Sequence, residues 1–198
     1  ALYLQGLSLG ALHSQRAADL YDIIADPFAG ALWVGTPFRS QRWRTMVEER
    51  RPGSPAWLPR FRDGSVVRFM NQWGTPHEPD APWGPVRILY LQHGSDPVTF
   101  FEQRALYRPP QWTSAPRAPD VSEELRWYPV VTMLQLAVDI VAASSTPEGY
   151  GHVYAAEEYI DAWVGLTDPP GWGSEEVDRL KALFNEARRP DGRRPALR

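Results

Sequence analysis

Three side chains far apart in the chain have the types and order that nucleophilic acyl chemistry needs: Ser8, Asp96 and His152. Ser8 lies within Gly6-Leu7-Ser8-Leu9-Gly10, between an apolar run and a helical pattern. A serine hydroxyl is a weak nucleophile, and a sharp strand-to-helix turn exposes it to an activating base. Side chains two residues to either side would collide in such a turn, so Gly6 and Gly10 are both expected to relieve it. The helix N-terminus behind Ser8 favours negative charge, and the Leu9 amide is expected to donate to an oxyanion.

The serine needs a base, and the base needs an orienting acid. Asp96, in "VRILYLQHGSDPV", stands just past the clearest strand pattern, at its carboxyl end, where parallel sheets gather their sites. The same Asp-Pro pair also reads as a plain turn. Four histidines compete for the base. His152, in "PEGYGHVY", follows the acid and sits on a Gly-rich loop before a helix, which assigns it that role. His13 falls on the helix after the turn, and His77 in a Pro-rich stretch ahead of the acid. His93 shares the strand end with Asp96 and is expected to line the substrate pocket. There is no His-Glu-x-x-His, no cysteine, and no dinucleotide or P-loop fingerprint, so neither metal nor cofactor is expected.

These residues need elements to hold them. Leu2 to Gln5 reads as a short strand stopped by Gly6, and Ala11 to Asp26 as a helix ending before Pro27. Ala31 to Gly35 and Val86 to Gln92 are further strands, the second apolar enough to be buried on both faces of a parallel sheet. Between them, about residues 36–85, lies a Trp- and Pro-rich stretch with a helix near Gln41 to Arg50 and a strand near Val66 to Met70. Its Trp43, Trp57, Trp73 and Trp83 fit equally an apolar lid or the core of a small subdomain. Val121 to Ala143 looks mainly helical with Pro129 near its start, and helices follow over Ala155 to Leu166 and Ser174 to Arg188. Strands alternating with helices predict an α/β fold with a parallel sheet.

Composition excludes several functions. The 198 residues suit one domain, and a net charge of -3 with interspersed signs gives no reason to expect nucleic acid. No apolar stretch is long enough to span a membrane, and no signal peptide precedes the first strand. The chain opens on Ala1 without a methionine, and its basic tail, "RRPDGRRPALR", is expected to be solvated.

The blocks "LYLQGLSLG", "GALWVGTP", "RPGSPAWLP", "DAPWGPVRILYLQHGSDPVTFF", "ELRWYPVVTMLQLAVDI" and "PEGYGHVYAAEEYIDAW" resemble bacterial α/β-hydrolase-fold membrane proteins, common in actinobacteria. The resemblance runs to about Trp172. It implies a three-layer α/β-hydrolase fold with a mostly parallel sheet over residues 1–172, an insertion at about 36–85, and a separate helix and tail over 173–198. Carried over by position, the triad is again Ser8, Asp96 and His152. The family often has an acidic residue before the serine; Leu7 stands there in this chain, a departure expected to keep the nucleophile and change the polarity of the pocket it lines. The implied activity is that of a serine hydrolase, an esterase, lipase or thioesterase; that its substrate is a small or lipid-like apolar acyl ester is expected from the Trp- and Pro-rich stretch, which would cap the site. The alternatives are an acyltransferase with the same triad or an inactive, membrane-tethered binding domain. The resemblance also implies a cell-membrane location through helices ahead of Ala1, with the earlier strands and the second oxyanion donor lying there too. On that expectation the 198 residues alone leave the first strand as an unpaired edge, and they should aggregate, dimerise through it, or fold with little esterase activity.

Overall fold

Short apolar runs build a sheet of four strands, all parallel, in the computed structural model, which describes residues 1–18, 24, 27–75 and 79–188. The strands are β1 (Tyr3–Leu7), β2 (Gly30–Val34), β3 (Val67–Met70) and β4 (Arg87–Leu91). Their order is β1-β2-β4-β3, so β2 and β4 are internal. Every residue of β2 is buried, as befits a central strand covered on both faces.

Alternation along the strands sorts the core into two layers. Ala31 and Trp33 of β2, Val67 and Phe69 of β3, and Ile88 and Tyr90 of β4 face one side. There they meet residues of α1 (Leu9–Ala17) and α2 (Gln41–Glu48), among them Ala11, Trp43 and Val47. Leu32, Val34, Met70, Leu89 and Leu91 face the other side, against Ala162 and Leu166. Those two belong to the helix Ala156–Thr167, which is α5 in chain order, after α3 (Pro97–Phe100) and α4 (Val131–Ala142). The last helix among the described residues, α6 (Ser174–Ala187), packs on α5 through Lys181–Asp161 and Asn185–Glu157 contacts.

Several sequence expectations are corrected by backbone geometry. Gly6 does not stop the first strand; it lies inside β1, paired with Trp33. The expected helix over Val121 to Ala143 begins only at Val131. Pro129 has no amide hydrogen to give and Val130 takes a φ of 64°, so the chain turns before it can coil. The end of the helix expected to reach Asp26, His77 and the basic tail lie largely or wholly outside the described residues.

The Trp-rich stretch is built into the main fold. Its β3 completes the sheet, and Trp43 and Trp57 are buried in the core shared with the strands. A buried glutamine ties this stretch to the end of β4. Gln92 Oε1 accepts from Trp43 Nε1 at 2.8 Å, and Gln92 Nε2 donates to the Trp57 carbonyl at 2.7 Å. Trp83 lies under the Arg68 guanidinium, 3.8 Å from its ring centre, and bonds the Gly165 carbonyl of α5. Trp73 is exposed.

Candidate active site

Leu7, Val34 and Leu91 are register partners across β1, β2 and β4. Their successors therefore emerge side by side at the carboxyl edge of the sheet. The ladder continues into the loops: the Ser8 amide donates to the Val34 carbonyl at 2.9 Å, and the Gly35 amide to the Leu91 carbonyl at 2.9 Å. Open parallel sheets form their sites along this edge, because the turns there splay away from one another.

Ser8 stands at the turn between β1 and α1 with φ 55° and ψ -122°, a conformation that L-residues seldom adopt. Its side chain makes no capping bond to α1. The two flanking glycines prove unequal. A Cβ on Gly6 would come within 2.5 Å of the Gly10 and Ala11 backbone, so no side chain fits there. A Cβ on Gly10 meets nothing within 4 Å, which corrects the expectation that both glycines are sterically required. Leu9 begins α1, and a first-turn amide has no partner inside its own helix. Leu7 and Leu9 are both exposed beside the serine.

Asp96 is fully buried, and its two oxygens divide the work. Oδ1 accepts from the Val98 amide at 2.8 Å and caps α3, with Pro97 at the first helical position. Oδ2 accepts from His152 Nδ1 at 2.7 Å, from the Tyr154 hydroxyl at 2.9 Å and from the Thr99 hydroxyl at 3.2 Å. The turn and the His-orienting role are thus compatible. Because a carboxylate that already receives other donors must accept from the ring as well, the network assigns the hydrogen to Nδ1. That leaves His152 Nε2 as the bare, basic nitrogen. It is buried without a hydrogen-bond partner, while the ring as a whole keeps some exposure.

His152 reaches this edge because its loop is pinned at several points. The His152 amide donates to the Ala143 carbonyl, and the Gly151 amide to Ser95 Oγ. The ring packs directly on the turn after β2. A Cβ on Gly35 would lie 2.7 Å from His152 Cε1 and 2.9 Å from the Tyr154 ring. The turn that follows Ser8's hydrogen-bonding neighbour, Val34, therefore forms the floor beneath the imidazole.

A sequence description of the alpha/beta-hydrolase family matches residues 1–180. The chain belongs to the α/β-hydrolase family. No curated protein and no solved structure matches it. The parallel sheet covered by helices on both faces agrees with this α/β-hydrolase assignment.

The remaining histidines are placed elsewhere. His13 is exposed on α1. His93 has no exposed surface and both ring nitrogens are engaged, so it stands behind the His152 loop and not on a pocket wall. A cleft of about 140 Å³ does open beside Asp96, between α3 and α4, lined by Phe100, Trp112, Val121 and Leu136 among others. Neither Ser8 nor His152 borders it. Among the described residues no cluster of His, Cys, Asp or Glu is arranged to hold a metal, and no helix is long and apolar enough to cross a membrane.

Tyr154, Gly35 and Glu158 were not singled out in the sequence. Tyr154 lies two residues past His152, and burial together with the neighbouring Asp96 carboxylate holds its hydroxyl well above the usual phenol range. It therefore remains a donor. Gly35 carried one available signal, a glycine directly after a buried strand. Glu158 carried none, because a glutamate in the first turn of a helix reads as a solvated, dipole-favoured residue.

Proposed function

We propose that this α/β-hydrolase is a serine esterase in which Ser8 attacks an acyl carbonyl, His152 Nε2 takes the hydroxyl proton, and Asp96 holds the imidazole in its Nδ1–H tautomer. The observation that carries this reading is the 2.7 Å contact of His152 Nδ1 with Asp96, which leaves Nε2 buried and unpartnered. The strained backbone of Ser8 supports it, since such strain persists where function needs an exposed nucleophile. In the first step Ser8 Oγ bonds to the carbonyl carbon and the carbonyl oxygen gains the negative charge. The Leu9 amide at the start of α1 then donates to that oxyanion. Collapse expels the alcohol or thiol, which receives the proton from His152, and water repeats the sequence to free the acid. Exposed Leu7 and Leu9 favour an apolar acyl group. The resemblance to membrane-tethered hydrolases adds a location at the cell membrane, where such acyl chains are presented.

The test is covalent labelling with a fluorophosphonate followed by peptide mapping. Labelling at Ser8, lost in Ser8→Ala and strongly slowed in His152→Ala, is the expected result. Labelling that persists in Ser8→Ala would overturn the mechanism.

A further inference from the structure

A second histidine–carboxylate pair lies directly behind the first. His93 Nε2 faces Glu158 Oε2 at 2.9 Å, and His93 Nδ1 faces the Gly151 carbonyl at 2.9 Å. Both side chains are buried, and Tyr154 joins the two pairs. The Tyr154 ring stacks on His93 at 4.1 Å and meets the His152 ring edge-on at 5.8 Å, while its hydroxyl bonds Asp96.

The proton count follows from the partners. A carbonyl oxygen only accepts, so Nδ1 of His93 carries a hydrogen. A bare Nε2 cannot face an ionised carboxylate at bonding distance, so a second proton lies between Nε2 and Glu158. Without a donor at Glu158 the single ring hydrogen could move to Nε2, turning a lone pair toward the Gly151 carbonyl.

We infer that His93 is a positioning residue for the reaction: Glu158 holds it in the form that donates from Nδ1 to Gly151, and this bond fixes the loop carrying His152. The inference rests on the reading of His152 as the base. Gly151 suits the role because it precedes His152 directly. Its φ is 56°, and a Cβ there would lie 2.7 Å from Thr146 Oγ1, so the loop has little freedom to restore the bond by another path. Glu158 is on α5, anchored to the sheet through Ala162 and Leu166, so the brace ties the loop to the core.

The experiment compares three variants by hydrogen exchange of the 149–153 amides and by separate kcat and KM values on a short-chain p-nitrophenyl ester. Glu158→Gln keeps a donor toward Nε2 and should retain loop protection and turnover. His93→Phe keeps the stack on Tyr154 but loses the bond to Gly151. Loop exchange should quicken at least about tenfold and kcat fall about a hundredfold with KM little changed, the scale of a small misplacement of a catalytic group. His93→Phe combined with Glu158→Leu removes the buried unpaired carboxylate, so the fold should recover while the loop stays loose and kcat stays low. Recovery of kcat in that double variant, or loss of loop protection in Glu158→Gln, would overturn the proposal, as would unchanged exchange in His93→Phe. Exchange reads the brace whether or not the ester is turned over. A wild-type protein that does not label at Ser8 would therefore count against the esterase reading alone.

Discussion

Gly35 and His152 meet so closely that no side chain fits between them: a Cβ on Gly35 would stand 2.7 Å from His152 Cε1. The glycine also holds a φ of 52°, where an L-residue is strained. Gly35→Ala should therefore cost about 1–2 kcal/mol from backbone conformation alone. It should also push the imidazole off Asp96. Chemical denaturation would read the first effect, and the rate of fluorophosphonate labelling the second, with about a hundredfold slowing expected. Labelling at the wild-type rate would mean that the ring tolerates displacement.

Ser8 carries strain that stability should report. Its φ of 55° favours glycine over any L-residue. Ser8→Gly should be more stable than Ser8→Ala by about 1 kcal/mol, within the usual cost of such a conformation. On the proposed mechanism neither variant forms an acyl-enzyme. Equal denaturation midpoints for the two would show that the turn relaxes when the hydroxyl is absent.

The Asp96 carboxylate should matter in two graded ways. Asp96→Asn turns an amide donor or a weaker acceptor toward His152 Nδ1 and disturbs the tautomer, and kcat should fall by about four orders of magnitude. Tyr154→Phe removes one donor of three from Oδ2, a charge-assisted bond worth about 1.5–3 kcal/mol, so turnover should fall at least about tenfold. Because the Tyr154 hydroxyl is held well above its ordinary value of 10.0, this donor should persist at mildly alkaline pH. A step in the wild-type rate near pH 10 that vanishes in Tyr154→Phe would contradict that.

Glu102 gives a stability prediction with a definite sign. Burial pushes its carboxyl above the ordinary value of 4.5, so the folded state holds the proton more tightly than the unfolded state. Its contribution favours folding below pH 4.5 and is lost as pH rises through the folded value. Glu102→Gln, neutral throughout, should gain stability over wild type as pH rises from 4 to 7. Thermal melts across that range would check it; a difference that shrinks toward pH 7 would reverse the sign.

The elements that hold the site differ in how openly the sequence announced them. β4 was legible because an apolar run bounded by breakers has few other uses, and its ends moved by one residue at each side. The helix before Ala143 was overextended because its apolar spacing runs on past Pro129, and periodicity does not register a missing amide hydrogen. The tryptophans of residues 36–85 could not be divided between lid and subdomain, since burial of an indole depends on partners such as Gln92 that lie far along the chain.

What the sequence by itself determined was local or ordinal: an α/β alternation, a glycine-flanked serine at a strand-to-helix turn, and an acid and a histidine following it in order. Those features follow from steric limits and hydrophobic spacing within a few residues, and the family match over residues 1–180 agrees with the fold they indicate. Chain order pointed to His152, but tertiary structure alone decided that its ring meets Asp96 and that His93 is sealed behind it. His93 is three residues from Asp96 in the chain, yet its ring turns to Glu158 and Gly151, while His152 closes on Asp96 from 56 residues away. Strand register aligns Leu7, Val34 and Leu91 and so gathers the turns after three strands at one edge, and long-range bonds from Gly151 to Ser95 and from His152 to Ala143 bring the histidine loop to it. Register is a property of pairing between strands, and no single strand encodes it.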